Sequence, residues 1–199
     1  MPIQPPQLHK LKPAERERLQ EQLKKNGGRL LFLVHPFFHQ TPKGKFLRTG
    51  GEQTQKEIAT YLKVLERFAH SARIPIVVFE EKHLMKWSHE KLKKLAPQRE
   101  WVFIPSKRGE GTPILRPRAP RGENETKNQW KPVIEELKKV GAQRIFLSGQ
   151  RYFEPGCACV GASHEALTEY GQFKLVKVLP RGVVKGLEPI PEHLKRWNG

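Results

Sequence analysis

The sequence predicts a three-layer α/β/α domain on a mostly parallel, Rossmann-type sheet, and three observations carry that expectation. Short apolar runs with almost no polar alternation recur along the chain, beginning with RLLFLVHPFF at residues 29–38. Such runs fit strands buried on both faces. Between them lie longer segments whose apolar residues recur at three- and four-residue steps, the mark of one helix face. The two patterns alternate, and strand–helix alternation gives a parallel sheet covered on both sides through right-handed crossovers.

Residues 1–28 read as a basic N-terminal extension. Pro13 suits the first position of a helix, and the pair Gly27 and Gly28 would end it. Only Leu19 and Leu23 give this helix an apolar stripe, so it is expected to pack lightly on the surface. The α/β domain is read as residues 29–184, opening with the strand at 29–38 and a Gly- and Lys-rich loop at 39–51. Residues 52–72 have the strongest helical pattern, with Ile58, Tyr61, Leu62, Leu65, Phe68, Ala69 and Ala72 on one face. Residues 74–81 form a second strand, 89–96 a short helix closed by Pro97, and 101–104 a third strand.

The stretch 106–126 is rich in Arg, Pro and Gly and reads as a long loop, of the kind that is usually functional or disordered. A helix at 129–140 buries Trp130, Val133, Ile134, Leu137 and Val140 and stops at Gly141. A fourth strand at 144–147 breaks at Gly149, and a helix restarts near Cys157 or Cys159. A fifth strand follows at 173–179. Residues 185–199 are a C-terminal tail with a short helical turn at 191–197.

The charge is unusual. The 199 residues carry 37 Lys and Arg against 20 acids, a net charge of +17, and every acid is Glu. Such a field draws nucleic acid, acidic partners or anionic small molecules, although a plain solvated basic surface has the same composition. No stacking-aromatic motif of an RNA-binding module and no glycine-rich phosphate loop is present. No run approaches the roughly 18 apolar residues of a membrane helix, and the N-terminus lacks an apolar signal core, so no membrane partner and a cytoplasmic location are expected. Cys157 and Cys159 are too close for an ordinary disulfide, which fits a reducing compartment. Nothing in the residues fixes an oligomeric state.

Ligands of parallel sheets bind beyond the carboxyl ends of the strands. That rule selects His35 to His39, Glu80 to His83, Pro105 to Lys107, and Gly149 to Cys159. A cysteine at a helix start gains a dipole that favours thiolate and backbone N–H groups suited to an oxyanion. The plainer reading of Cys159 is a small buried apolar side chain. Cys157 is the other candidate nucleophile, and a C-x-C pair without further spaced ligands is a poor metal site. His35 is either a base or a hydrogen-bonded residue closing its strand. Arg108, Arg116, Arg118 and Arg121 suit an anion or nucleic acid through bidentate bonding, or belong to a lid.

At these strand ends the chain resembles the isochorismatase-like cysteine hydrolases, a family that includes nicotinamidases. Residues 159–167, CVGASHEAL, resemble the family's Cys-Val-x-x-Thr-x-x-x-Ala helix start. LERFAHSARIPIVVFEE is similar to the helix that runs into the second strand, and RLLFLVHPFF to the first strand. The resemblance spans roughly residues 29–184 and implies an Asp–Lys–Cys triad, with Cys159 as nucleophile and Lys107 as the lysine. The position of the aspartate reads His35, which would take the thiol proton as in Cys–His pairs. The loop before Cys159 is longer than the family pattern. In nicotinamidases an Asp-x-His after the second strand helps hold a divalent metal. Glu81-x-His83 is similar, with His89 as a third candidate, and such donors suit zinc or manganese; a solvated loop is the plainer reading. The implied activity is hydrolysis of a small-molecule amide or ester. The alternative is a catalytically inactive basic domain that binds nucleic acid or an acidic partner.

Overall fold

The computed structural model describes residues 5–40, 51–70, 74–106, 123–152 and 159–185. Five strands form one sheet: β1 (Arg29–Val34), β2 (Ile76–Glu81), β3 (Val102–Ser106), β4 (Arg144–Tyr152) and β5 (Leu175–Lys185). All pairings are parallel, in the order β3-β2-β1-β4-β5. Among the described residues five α-helices accompany them: α1 (Pro13–Lys25), α2 (Gly51–His70), α3 (Met85–Leu95), α4 (Glu123–Lys139) and α5 (Cys159–Glu169).

Strand alternation sorts the core into two layers. Leu30, Phe32 and Val34 of β1 join Val77, Phe79, Trp130, Ile134, Val160 and Leu167 in one cluster, under α1, α4 and α5. Leu31 and Leu33 join Ile76, Val78, Tyr61, Leu65, Met85 and Leu92 in a second cluster, under α2 and α3. Helices on both faces of a parallel sheet give the three-layer α/β/α architecture expected from the sequence. The chain steps outward from β1 to β2 and β3, then returns to the other side of β1 for β4 and β5. The reversal falls between β1 and β4, the place beyond whose strand ends sheets of this kind bind ligands.

Several elements depart from the sequence reading. The N-terminal segment was expected to pack lightly, yet Leu8 and Leu23 are fully buried and Leu19 nearly so. Gln7 makes a parallel bridge to Phe103, whose N–H donates to Pro6 O at 2.8 Å, so this segment covers part of the β3 edge. Arg16 and Gln20 of α1 also bond Glu136 and the Lys139 carbonyl of α4. Burying a leucine contributes about 1.5–3 kcal/mol, so three anchored leucines outweigh a weak stripe.

β1 stops at Val34 and not at residue 38, because His35 turns the chain with φ +43°. The helix expected at 89–96 begins four residues earlier, at Met85, with Met85, Ser88 and Leu92 as its buried stripe. Its N-cap is Leu84, without a side-chain cap, so the usual start signal is missing from the sequence. β3 runs through Pro105 because the proline lies two residues from Phe103, whose N–H points off the edge; the absent N–H removes no bond to β2. β4 and β5 both extend beyond their apolar cores, and their pairing shifts register at Gly149 and again before Tyr152. Gly149 has φ +151°, and a Cβ there would lie 2.0 Å from Val34 O. Only glycine permits that approach, beside the end of β1. The C-terminal turn expected at 191–197 lies outside the described residues.

Candidate functional site

Most of the buried polar side chains among the described residues gather toward the carboxyl end of the sheet: His35, Glu80, Ser88, Ser106, Ser148 and Gln150. The register explains the central pair. Val34 lies opposite Phe79, so the next residues, His35 and Glu80, meet across β1 and β2. Both fall on the face of Leu31, Leu33, Ile76 and Val78, the face covered by α2 and α3.

Their contact is short and enclosed. His35 Nδ1 donates to Glu80 Oε1 at 2.8 Å, with side-chain exposures of 5% and 2%. The same oxygen accepts the Glu81 N–H at 3.0 Å, and Glu80 Oε2 accepts Ser88 Oγ–H at 2.6 Å. Three donors thus hold one buried carboxylate, the condition under which burial of a charge is tolerated. The imidazole also tilts over Phe79, ring centroids 5.9 Å apart. His35 holds its left-handed backbone between two anchors: its N–H donates to Phe79 O at 3.0 Å and its carbonyl accepts from Phe38 N at 3.2 Å. A non-glycine residue in this region stores of order 1 kcal/mol and persists only when its surroundings fix it.

Glu80 is the acid that the sequence reading did not assign. It appeared there as one of two adjacent glutamates at a strand end, with Glu81 preferred for its spacing to His83. Parity was the available signal, since Glu80 shares a face with Ile76 and Val78 while Glu81 does not. Glu81 and His83 instead pair with each other at 3.4 Å near the surface, where His83 is 55% exposed. His89 does not join them. It stands edge-on to Phe103 at 5.7 Å, and burial followed by the nearby Lys93 lowers its pKa, partly opposed by Glu90. Among the described residues no group of three His, Cys, Asp or Glu side chains is placed to hold a metal ion.

Cys159 is the first residue of α5, the helix that follows β4 and packs against β4, β5 and β1. Its side chain is not among those described. Lys107 and Cys157 lie outside the described residues, as do Arg108, Arg116, Arg118 and Arg121. Phe37 is buried in the α2/α3 layer, edge-on to Trp87 at 6.1 Å, with Lys91 Nζ 4.9 Å from the Trp87 ring centroid. It belongs to the core.

Three oxygens near this end of the sheet are buried without a hydrogen-bond partner: Glu57 Oε2, Tyr61 Oη and Ser106 Oγ. Burial, and then the Glu80 carboxylate, hold the Tyr61 hydroxyl well above its ordinary pKa, so it stays protonated. No described helix is long and apolar enough to cross a membrane. No family model, curated protein or solved structure matches the chain.

Proposed function

We propose that the protein is a cysteine hydrolase of a small amide or ester, a divergent relative of the isochorismatase-like enzymes. In this reading Cys159 attacks the carbonyl, and His35, held by Glu80, carries the proton. The observation that supports it is the enclosed His35–Glu80 pair at 2.8 Å. It stands at the switch point of the sheet, where β1 ends beside β4 and the helix headed by Cys159 follows.

The chemistry follows from the tautomer. With Nδ1–H donated to Glu80, the ring's basic lone pair is on Nε2. That nitrogen takes the thiol proton, and the thiolate adds to the substrate carbonyl. Backbone N–H groups of the first turn of α5 receive the developing oxyanion. The imidazolium returns its proton to the departing amine or alcohol, and the same nitrogen then activates the water that releases the acid. Glu80 is a positioning residue, which orients the ring and favours the imidazolium, and Ser88 fixes Glu80. Lys107, directly after β3, would add positive charge beside the reacting carbonyl. In the family pattern an aspartate stands where His35 stands; here the carboxylate is moved to the neighbouring strand and reaches the thiol through an imidazole.

The test uses p-nitrophenyl acetate. Turnover with an acetyl adduct on Cys159, both lost in Cys159→Ala, supports the reading; no turnover and no adduct sinks it. A second reading rests on the net charge of +17: a binding domain for nucleic acid or an acidic partner. It predicts salt-sensitive binding to RNA or DNA that is indifferent to Cys159→Ala and His35→Asn.

A further inference from the structure

The outer face of α3 carries a row of cations that make no ion pair among the described residues. Residues 82–95 hold five lysines and a single acid, Glu90. The inward stripe of α3 is Met85, Ser88 and Leu92, and Ser88 donates to Glu80. Lys86, Glu90, Lys93 and Lys94 are exposed, and Lys82 is exposed just before the helix begins. Steps of four, seven and eight residues from Lys86 stay on one helix face, so these side chains form one stripe. At a rise of about 1.5 Å per residue, Lys86 and Lys94 stand about 12 Å apart along the axis. Among the described residues Lys82, Lys86, Lys93 and Lys94 pair with no carboxylate. On α1 and α4 the pattern differs, because Arg16, Arg18, Lys25 and Lys139 each pair with a glutamate. Lys91, the fifth lysine, lies against the Phe37 and Trp87 rings.

Charge without apolar surface selects the partner. Among the described residues the one large apolar side chain that stands exposed is Leu175, on β5. A helix lying on a membrane needs an apolar face to insert, and a protein interface needs an apolar core from which lysine is depleted. The α3 stripe offers neither. Trp87 of this helix is half-buried against Phe37 and Lys91, so it gives no open ring on which an unpaired base could stack. A duplex backbone asks only for cations, and lysines meet phosphate as point charges. We infer that the stripe of Lys82, Lys86, Lys93 and Lys94 is a sequence-independent contact surface for the phosphate backbone of double-stranded nucleic acid. The inference rests on the second reading of the function, in which the net charge serves a polyanion, and gives that reading a place. α3 then binds phosphate on its outer face while its inner face holds Glu80 through Ser88.

The probe is a fluorescent DNA duplex of about 20 base pairs and mixed sequence, titrated with the full chain from about 50 to about 200 mM salt. Lys82→Gln, Lys86→Gln, Lys93→Gln and Lys94→Gln combined should weaken binding about tenfold or more at the lower salt. They should also make the logarithmic salt slope shallower by about three, since each phosphate contact contributes about 0.9. A control removes the same charge at four exposed lysines elsewhere, Lys24, Lys131, Lys174 and Lys177; it should weaken binding by less than about threefold and leave the slope nearly unchanged. Glu90→Gln, which removes the acid from the stripe, should tighten binding by about twofold. Thermal melts verify that each variant is folded, and if the fourfold variant melts early, the Lys82/Lys86 and Lys93/Lys94 pairs are measured separately. Binding that falls equally in the two fourfold variants overturns the assignment to α3 and leaves the nucleic-acid reading standing. No duplex binding by the wild type overturns both. Tighter binding to the matching single strand, or to polyglutamate, overturns the inference in favour of another partner. The ester test on Cys159 is independent of each of these results.

Discussion

Removing the His35–Glu80 contact is expected to cost far more than removing a surface ion pair, and a double-mutant cycle measures the difference. The variants are His35→Asn, Glu80→Gln and the double substitution. Asparagine is chosen because it tolerates the left-handed backbone that His35 adopts at φ +43°, so the cycle is not confounded by strain. Both side chains are nearly solvent-free, at 5% and 2% exposure, and their atoms are 2.8 Å apart, so screening by water and salt is slight. A hydrogen bond to a charged group contributes about 1.5–3 kcal/mol, which sets an expected coupling energy of about 2 kcal/mol. His35→Asn alone should cost more than that coupling, because it also thins the contact with Phe79 and leaves Glu80 with two donors. Urea unfolding of the four proteins gives the cycle directly, provided the m-values agree. A coupling below about 0.5 kcal/mol, the range of exposed pairs, would refute the claim that the pair is a built and enclosed unit.

Other consequences can be checked with the same unfolding assay. Gly149→Ala drives a methyl group into the Val34 carbonyl, a backbone atom that cannot swing away; a loss of about 2–4 kcal/mol is expected, and a neutral result contradicts the close approach of β4 to β1. Leu23→Ala should cost about 2–5 kcal/mol, as for a core leucine, since Leu23 is 0% exposed; a cost under about 0.5 kcal/mol would return α1 to the status of an appendage. The Tyr61 hydroxyl has its pKa raised in the fold, first by burial and then by Glu80. Its contribution is therefore complete below the unfolded value near 10 and is lost as pH rises above it. Tyr61→Phe should flatten that alkaline decline, and an unchanged slope would show that Tyr61 is not the group responsible.

The architecture was legible because sheet strands covered on both faces must be apolar throughout. RLLFLV and IVVF announce themselves in that way, and the inward residues of α2 follow the helical period. Boundaries were less legible where ordinary signals are missing. α3 starts without a capping side chain, and β3 continues through a proline whose N–H would have pointed off the edge. α1 carries few apolar residues, yet those few are fully used. The site was half legible. Its candidate location beyond the strand ends follows from the fold class, and His35 stands out by its place at a strand end; Cys159 stands out only by its place at a helix start, and its side chain is not described. The partner of His35 required the register of β1 against β2, and that is set by contacts across the sheet rather than by neighbours in sequence. Ser88 was equally hidden, since its role depends on a helix turn expected to be loop.

In the proposed mechanism the enclosed His35–Glu80 pair serves the thiol at the head of α5. Alkylation of native protein by iodoacetamide across pH, with the modified cysteine located by fragmenting the one peptide that carries both, tests it most directly. The account predicts that Cys159 reacts faster than Cys157 and faster than either cysteine in urea at neutral pH. It further predicts that Glu80→Gln and His35→Asn each slow Cys159 by about tenfold or more while leaving Cys157 unchanged. Equal reactivity of the two cysteines, or a Cys159 rate indifferent to both substitutions, would contradict it.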